Sequence, residues 1–247
     1  MIGYIFVEIK SFLMVKAIVL FSGGVDSTVV AYICKLRGLD FTAVTFEADY
    51  IPKREIEYAK RIAKVLGFRH EVIRIDEIPQ EFFTNTPERC YHCKRTMLKN
   101  IINIYGNCII FDGTNKDDFK EFRPGLKANE EFDVVSPLKD LSKDEVRELA
   151  RLLGLPNWNK PSNSCLATRI VGEKITPEKL KMVEMAEGIM HDLGFRIVRV
   201  RYEQENARIE VGKDEIGKVF ELREIIVREL KKIGFKKIML DLEGKTD

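Results

Sequence analysis

The sequence has little net charge, little glutamine and no long apolar run. Its 247 residues include 41 Lys and Arg against 39 Asp and Glu, so the formal charge is only +2. A chain this close to neutral has no overall basic field for nucleic acid, and we expect no nucleic-acid partner. Glutamine occurs only at Gln80 and Gln204, while Lys, Glu, Arg and Ile are abundant, a bias typical of heat-adapted proteins. Hydrophobic residues at 45% and charged residues at 32% exclude a disordered chain.

The most apolar opening segment, residues 1–20, is too polar to predict a membrane span. Glu8, Lys10 and Lys16 interrupt it, whereas a bilayer-crossing helix needs about 20 mostly apolar residues. The segment also lacks the basic start and the small-residue cleavage site of a signal peptide. We therefore expect a cytoplasmic protein with no membrane partner. Five cysteines, an odd number in a chain of this size, argue against a disulfide framework.

Short apolar runs alternate with helical patterns over the first two thirds of the chain. The runs that predict buried strands are residues 15–21, 41–46, 71–75 and 108–111. The segments that predict helices are residues 27–36, 53–66, 93–105 and 142–154. This alternation predicts an α/β fold with an open, mostly parallel sheet and helices on both faces. Ligands of such sheets bind beyond the carboxyl ends of the strands.

The last part of the chain follows a different pattern, which predicts a second domain. Residues 157–172 are loop-like, and we place the domain boundary near residue 172, between domains of residues 1–172 and 173–247. The elements predicted beyond it are a helix at 176–191, a hairpin of strands at 197–202 and 207–211, a helix at 214–233 and a strand at 236–240. This order predicts a small α+β domain.

A turn with two glycines joins the first predicted strand to the first predicted helix. Its residues are Ser22-Gly23-Gly24-Val25-Asp26-Ser27. Glycines let the backbone approach an anion closely, and consecutive amides at a helix N-terminus supply donors and the positive end of the helix dipole. The serine hydroxyls add donors that suit phosphate oxygens; an ordinary tight turn is the alternative. No lysine follows the glycines, which excludes the phosphate loop of kinases and GTPases.

A second polar string follows the fourth predicted strand, at the same edge of the sheet. Its residues are Asp112-Gly113-Thr114-Asn115-Lys116-Asp117-Asp118. Hydroxyl, amide and carboxylate groups in this position suit a nucleotide or Mg²⁺, and a solvated polar turn is the alternative. The stretch of residues 116–134 is polar and predicts an irregular loop.

Three cysteines are candidates for chemistry. Cys90 and Cys93 form a CxxC pair, and Cys165 lies in a polar loop. The pair suits a redox function, half of a zinc site or part of an iron–sulfur cluster. No second CxxC is present, so a zinc site would need His92 or His70 as a further ligand. Three thiolates suit a [4Fe–4S] cluster with one iron open to an exogenous ligand such as sulfide. The residues alone leave these possibilities open.

The glycine turn resembles the PP-loop of the ATP pyrophosphatases, which have an adenine nucleotide alpha hydrolase-like fold and cleave ATP between its α and β phosphates. Together with other strings it resembles the LarE family of ATP-dependent sulfur transferases, over nearly the whole chain. The further strings that carry this resemblance are residues 87–94, 112–118, 123–125, 136–138, 158–169, 176–180, 199–201 and 207–210.

The resemblance implies a reaction and its partners. The family uses ATP and Mg²⁺ to adenylate a carboxylate of pyridinium-3,5-biscarboxylic acid mononucleotide, with pyrophosphate and AMP as products, and converts that carboxylate into a thiocarboxylate for nickel-pincer nucleotide biosynthesis. In one branch a single cysteine, matching Cys165, gives up its sulfur. In the other, three cysteines bind a [4Fe–4S] cluster that holds sulfide. The CxxC pair in addition to Cys165 is similar to the cluster branch. The family also implies a homo-oligomer.

The resemblance implies residue roles as well. The glycine turn with Gly113, Thr114 and Asn115 would bind ATP and pyrophosphate; catalytic residues would be Cys165, Asp26 and Lys94; cluster ligands would be Cys90, Cys93 and Cys165; acceptor-binding residues would be Arg169, Arg199, Arg201 and Glu210. Residues 173–247 would bind the acceptor and mediate oligomerisation. Arg199 and Arg201 share one face of a predicted strand and suit a phosphate, with surface salt bridges as the alternative.

Other functions fit parts of the sequence. A PP-loop tRNA thiolase also uses cysteines or a cluster, but it requires a basic surface of RNA size that the near-neutral charge does not favour. A non-catalytic adenine-nucleotide-binding module would need the glycine turn but not three cysteines and an arginine-bearing second domain. An amide-forming synthetase would need no cysteine trio and normally brings a source of ammonia.

Overall fold

The computed structural model describes residues 16–120 and 122–245. Val15, at the predicted start of the first strand, and the apolar segment before it lie outside the described residues. The chain forms two compact units: residues up to Phe82 together with Pro87–Lys160, and Phe83–Thr86 together with Pro161–Asp247. The domain boundary that the sequence predicts near residue 172 stays a prediction.

The first unit is built on a four-stranded sheet in which every strand is parallel to its neighbours. Its strands are β1 (Ala17–Leu20), β2 (Phe41–Glu47), β3 (His70–Arg74) and β4 (Ile109–Phe111), in the spatial order β3-β2-β1-β4. Val19 is paired with Ala43 on one side and with Phe111 on the other. The open parallel sheet that the sequence predicts is confirmed, because continuous apolar runs form strands that are covered on both faces.

Helices flank this sheet. They are α1 (Val25–Leu36), α2 (Lys53–Leu66), α3 (Gln80–Phe83), α4 (Arg89–Tyr105), α5 (Gly125–Glu131) and α6 (Lys143–Leu152). The helix α1 is buried over most of its length and packs against both β1 and α6. The helix α2 buries Ile56, Ala59, Ile62 and Ala63 at the spacing of one helical face, and it ends at Gly67 with a left-handed backbone.

The polar stretch after β4 is more ordered than the sequence predicts. Lys116–Phe119 forms a 3-10 turn, and Gly125–Glu131 forms the short helix α5. The turn is held by a capping box in which the Asn115 side chain accepts from the backbone and Asp118 accepts from the Asn115 N–H. Short polar elements of this kind have no apolar periodicity, so pattern reading interprets them as loop.

The glycine turn of residues 22–27, called the glycine loop from here on, and the polar string after β4 lie at a topological switch point. The chain moves from β1 to β2 and β3 on one side of the sheet, and β4 then pairs with β1 on the other side. Residues 22–27 follow β1 and residues 112–118 follow β4, so they leave two adjacent strands at their carboxyl ends. In open α/β sheets this is where the ligand crevice forms.

The second unit is a small α+β layer. Its regular elements are α7 (Pro177–Asp192), β5 (Val198–Glu203), β6 (Asn206–Val211), α8 (Ile216–Glu221), α9 (Arg223–Ile233) and β7 (Ile238–Leu240). β5 and β6 pair as an antiparallel hairpin, and β7 pairs parallel to β6. The hairpin turns at Gln204 and Glu205, both with positive φ, as a two-residue turn requires. Thr176 caps α7 and Pro177 begins it, as predicted.

The prediction of a single helix over residues 214–233 is wrong, because the structure divides this segment into α8 and α9. Leu222 lies between them with φ −98° and ψ 8°, outside α-helical geometry. Buried positions continue on both sides, at Val219, Ile226 and Leu230. The spacing of apolar residues therefore continues across the break, and the sequence pattern does not reveal a single non-helical residue.

Among the residues described, no helix combines the length and the apolar content needed to cross a lipid bilayer.

Candidate functional site

Hydrogen bonds within the glycine loop (residues 22–27) determine its shape. The Ser22 hydroxyl accepts from the Gly24 N–H at 3.2 Å, and the Ser27 hydroxyl donates to the Gly24 carbonyl at 3.1 Å. Gly24 precedes α1 with extended backbone, and no side chain in the described residues caps this helix. The first-turn N–H groups of α1 are therefore available to an anion, at the positive end of the helix dipole.

Gly23 cannot be replaced without moving its surroundings. Its φ is +69°, and a Cβ atom built on it would lie 2.8 Å from the Cα of Ala59 on α2. On its other side, the Asn157 amide donates to the Gly23 carbonyl at 3.0 Å and to the Thr28 hydroxyl at 2.9 Å. Helix α2 and Asn157 thus hold the loop backbone in a conformation that favours glycine.

Gly113 brings the end of β4 against the glycine loop. A Cβ atom at this position would lie 2.8 Å from the Ser27 backbone nitrogen and 2.9 Å from the Asp26 Cβ. Contact this close requires the absence of a side chain. The two segments that the sequence assigns to the nucleotide are therefore brought together, with Gly113 packed directly on the first turn of α1.

Asp26 is the carboxylate that faces this junction. The Asn115 amide donates to its Oδ1 at 3.4 Å. Burial raises the pKa of Asp26, and the Asn115 hydrogen bond only partly offsets this effect. Asp118 raises it further by its negative charge, although the Asp118 carboxylate itself pairs with Arg123 at 2.8 Å. A carboxylate held in a partly desolvated position with a second one near it suits a divalent cation.

Asp112 is a buried carboxylate that accepts hydrogen bonds from four side chains, and the sequence-based site assignment does not include it. Lys94 donates to its Oδ2 at 2.7 Å, and so do the Thr114 hydroxyl and the Asn129 amide, each at 2.8 Å. Ser136 donates to Oδ1 at 2.7 Å. Burial alone would raise the pKa of Asp112, but the Lys94 charge and these hydrogen bonds outweigh it and hold the pKa below its ordinary value of 3.8. Lys94 thus links α4 to the end of β4.

The CxxC pair lies at the start of α4, next to Lys94. Cys90 is exposed and Cys93 is half-buried, one helical turn further on. The Cys93 thiol donates to the hydroxyl of the buried Tyr50 at 3.2 Å. By contrast Cys34 is fully buried in the core, and burial raises the pKa of its thiol to about 12. Cys34 is therefore a packing residue.

Cys165 belongs to the second unit, where Arg169 holds its loop. Cys165 is half-buried and immediately precedes a 3-10 turn, Leu166–Arg169. The Arg169 side chain is 0% exposed and pairs with Glu187 at 2.7 Å. Its other nitrogens donate to the side chains of Asn163, Ser164 and Thr168. All three guanidinium nitrogens of Arg169 are thus engaged within the unit, so in this geometry Arg169 positions the segment around Cys165.

In the described ranges, no group of three or more His, Cys, Asp or Glu side chains is arranged to hold a metal ion. The iron–sulfur assignment stays a prediction.

The other predicted acceptor-binding residues, Arg199, Arg201 and Glu210, lie on one face of the hairpin. We call this face, which also includes Arg208, the arginine face: Arg199 and Arg201 on β5, and Arg208 and Glu210 on β6. Arg201 donates to both carboxylate oxygens of Glu210, at 2.8 and 3.0 Å, and Arg208 donates to one of them at 2.9 Å. Burial alone would raise the pKa of Glu210, but these arginines outweigh it and lower it.

Arg199 differs from its neighbours, because no hydrogen bond or ion pair joins its guanidinium group to any part of the chain that the structure describes. Its side chain is half-buried. Burial lowers the pKa of Arg199, and the nearby positive charges of Arg169 and Arg201 lower it further. An unpaired guanidinium among other cations suits an anion.

Sequence reasoning does not identify Asp112, Asn129, Asn157 or Glu187 as site residues. Asp112 stands in a recognised string, but only its buried contacts distinguish it from the polar residues that follow. Asn157 acts on a loop 134 residues away in the chain, and Glu187 lies in a helix whose pattern is amphipathic. No local signal marks these two residues, since both functions depend on tertiary contacts.

The chain is similar to known proteins over most of its length. The family of the Queuosine biosynthesis protein QueC matches residues 16–95, which include the glycine loop. An uncharacterised protein of Synechocystis sp. is 38% identical over 239 residues, covering 93% of this chain and 89% of that protein. The pyridinium-3,5-bisthiocarboxylic acid mononucleotide synthase of Lactiplantibacillus plantarum is 34% identical over 238 residues, covering 93% and 86%. An uncharacterised protein of Methanocaldococcus jannaschii is 34% identical over 235 residues, covering 92% and 90%.

Proposed function

Because the chain belongs to the LarE family of PP-loop ATP-dependent sulfur transferases, we propose that it converts a carboxylate of a pyridinium-3,5-biscarboxylic acid mononucleotide-like acceptor into a thiocarboxylate, forming AMP and pyrophosphate. The observation that carries the proposal is the contact between Lys94 and Asp112. It joins the helix that bears Cys90 and Cys93 to the sheet edge that carries the glycine loop. A sulfur-bearing helix attached to a nucleotide edge suits a reaction in which ATP activates an atom that sulfur then attacks.

The first step is adenylation of the acceptor. An acceptor carboxylate oxygen attacks the α-phosphorus of ATP, an oxygen–phosphorus bond forms, and the bond between the α-phosphorus and the bridging oxygen breaks. Pyrophosphate leaves with that electron pair. The first-turn amides of α1 and the Ser22 and Ser27 hydroxyls would receive it. Asp26 would hold Mg²⁺, which would neutralise part of the phosphate charge. Gly113, Thr114 and Asn115 would place the nucleotide beside this loop.

The second step is transfer of sulfur. A sulfur nucleophile attacks the carbonyl carbon of the acyl adenylate, and AMP leaves with the electron pair of the broken carbon–oxygen bond. AMP is a far better leaving group than the carboxylate oxygen it replaces. Lys94 next to the CxxC pair, and Arg169 next to Cys165, would hold the thiol-bearing segments in place.

We propose Cys90, Cys93 and Cys165 as ligands of a [4Fe–4S] cluster. The donor set suits such a group, because Cys90 and Cys93 lie one helical turn apart at the start of α4 and thiolates are the ligands of iron–sulfur clusters. When bound, the cluster would supply an iron without a protein ligand at which sulfide is held. Sacrifice of the Cys165 sulfur is the alternative source, and the experiment below separates the two.

The arginine face would bind the acceptor. Among the arginines of this face, Arg199 is the one whose guanidinium group has no hydrogen bond or ion pair within the described residues, and it is the proposed ligand of the acceptor's phosphate. Arg201 and Glu210 already bind each other in bidentate geometry, so they would act as the rigid base that orients Arg199 and the acceptor. A homo-oligomer stays a prediction, which sedimentation velocity of the purified protein would test.

The proposal is tested by anaerobic turnover with ATP, Mg²⁺, sulfide and the mononucleotide dicarboxylate, with products identified by mass spectrometry. We expect AMP, pyrophosphate and an acceptor in which sulfur replaces oxygen. Cys90→Ser, Cys93→Ser and Cys165→Ser should each abolish thiocarboxylate formation, whereas the matched control Cys108→Ser should not. Formation of ADP in place of AMP would contradict the assignment of the glycine loop.

The same preparation distinguishes the sulfur sources. With a cluster, the anaerobic protein is brown, its charge-transfer absorbance is lost in each of the three serine variants, and its mass is unchanged by turnover. With a sacrificial cysteine, the protein is colourless and loses the mass of H₂S, with the change at Cys165.

A further inference from the structure

Asn157 contacts the glycine loop from a distant part of the chain. Its side chain is 1% exposed. The amide nitrogen donates to the Gly23 carbonyl at 3.0 Å and to the Thr28 hydroxyl at 2.9 Å. The Thr28 hydroxyl in turn donates to the Gly24 carbonyl at 2.8 Å. Two consecutive carbonyl groups of the loop are therefore held by one buried asparagine, the first directly and the second through Thr28.

The orientation of the Asn157 amide follows from its partners. Its Oδ1 atom is buried and has no hydrogen-bond partner in the described residues. Reversing the amide would place that oxygen against the Gly23 carbonyl oxygen, so two acceptors would face each other in a buried position. The amide donates to the loop even though its oxygen is left unpaired, which indicates that the loop contacts determine its orientation.

The segment that carries Asn157 is itself anchored. Lys160 forms an ion pair with Glu55 on α2, and its ammonium lies 4.5 Å from the ring centre of Tyr58 on the same helix. Helix α2 also provides Ala59, against which Gly23 packs. Gly23 therefore lies between two elements that are attached to each other.

Fixed carbonyl groups fix the direction of the amides that follow them. In a planar trans peptide the N–H points opposite to the carbonyl of the preceding residue. Holding the Gly23 carbonyl determines where the Gly24 N–H points, and holding the Gly24 carbonyl does the same for the Val25 N–H. The Gly24 N–H donates to the Ser22 hydroxyl within the glycine loop, and the Val25 N–H is the first amide of the anion-binding turn of α1.

We propose that Asn157 is a positioning residue of the pyrophosphate site, which sets the direction of the loop amides through the carbonyls of Gly23 and Gly24. The inference rests on the proposed function, because that function assigns pyrophosphate to this loop. Asn157 lies outside the glycine loop and outside the string after β4. Its positioning role depends on a tertiary contact that the sequence around it does not indicate.

The test is titration calorimetry of the full-length protein with inorganic pyrophosphate and Mg²⁺. Asn157→Ala should weaken pyrophosphate binding about tenfold, because the loop would lose the net contribution of roughly one well-formed hydrogen bond that holds its backbone in place. Thr28→Val should act in the same direction, and Thr28→Ser, which keeps the hydroxyl, should restore wild-type affinity. Val146→Ala is the matched control: it removes buried volume from α6 and lowers thermal stability, but it touches no loop carbonyl.

A second measurement reports positioning without any ligand. Hydrogen exchange of the amides at residues 23–28 should accelerate in Asn157→Ala and Thr28→Val but not in Val146→Ala or Thr28→Ser. Equal pyrophosphate affinity and equal exchange in Asn157→Ala and Val146→Ala would overturn the inference while leaving the proposed function intact. Failure of the wild-type protein to bind pyrophosphate would instead overturn the proposed function, and with it the role given to Asn157.

Discussion

The glycine loop of the first unit and the arginine face of the second unit position their groups by different means. The loop is held by neutral contacts: backbone hydrogen bonds, two serine hydroxyls, the Asn157 amide and close approach of Ala59 to Gly23. The arginine face is held by charge, through the bidentate pair of Arg201 and Glu210 and the buried pair of Arg169 and Glu187. One site thus depends on shape and the other on charge balance.

The difference follows from what each site leaves available. A loop that presents amides to an anion must keep the N–H groups of its first helical turn unpaired, so its rigidity has to come from its other backbone groups and from steric contact. The guanidinium groups of the arginine face are ordered mainly by carboxylates, and Arg199 is available because Glu210 pairs with Arg201 and Arg208. Three predictions follow from this contrast.

The largest effect is expected at Gly23, where shape is the constraint. Gly23→Ala should lower the free energy of unfolding by about 2–5 kcal/mol and abolish pyrophosphate binding. A methyl group would overlap the α2 backbone, and the left-handed conformation is unfavourable for alanine. Gly38→Ala is the matched control, since Gly38 has φ +70° but nothing within 4 Å of an added Cβ. It should lose only about 1 kcal/mol. Urea denaturation measures both, and equal losses would show that steric contact with α2 contributes nothing.

An intermediate effect is expected at Asp112, the charged group of the first unit. Asp112→Asn should lower the free energy of unfolding by about 2–4 kcal/mol near neutral pH, because it leaves Lys94 without its counter-charge. The folded-state pKa of Asp112 lies below 3.8, so its charge stabilises the fold above that pH and the stabilisation is lost as pH falls through the lowered value.

The pH series provides the check on Asp112. The stability difference between the wild type and Asp112→Asn should shrink when urea denaturation is repeated at about pH 3, where protonation of the carboxylate begins to remove the advantage. Asp140→Asn, at an exposed position, should show a small difference at every pH. If the difference in free energy of unfolding between the wild type and Asp112→Asn stayed constant as the pH fell, the Lys94 pairing would not stabilise the fold.

The smallest effect on stability is expected at Arg199. Arg199→Gln should change the free energy of unfolding by less than about 0.5 kcal/mol, because its guanidinium group has no hydrogen bond or ion pair within the described residues. Repulsion by Arg169 and Arg201 is opposed by the attraction of Glu210 and Glu187. Binding of the acceptor mononucleotide should nevertheless weaken about tenfold. Arg201→Gln, which breaks the pair with Glu210, should cost about 1–3 kcal/mol. If both variants unfolded alike, the distinction between the two arginines would be wrong.

The sequence by itself predicts the elements of the first unit closely, and it identifies the strings that carry the family resemblance. The reason is that these features are local. Apolar runs form buried strands, helical periodicity forms helices, and a glycine pair between them marks a turn at the carboxyl edge of the sheet. The same reasoning misses the short helix α5, which has no apolar periodicity, and the break at Leu222, which leaves the apolar period of its two helices unchanged.

Which side chains meet was decided only by the tertiary structure. Arg199 and Glu210 are directly opposite in the strand register. The Glu210 carboxylate nevertheless binds Arg201 and Arg208, and the Arg199 guanidinium group has no hydrogen bond or ion pair among the described residues. Lys94 meets Asp112, and Asn157 meets Gly23, across long stretches of chain. Such pairings depend on competition among several acceptors in three dimensions, and spacing along the sequence carries no information about that competition.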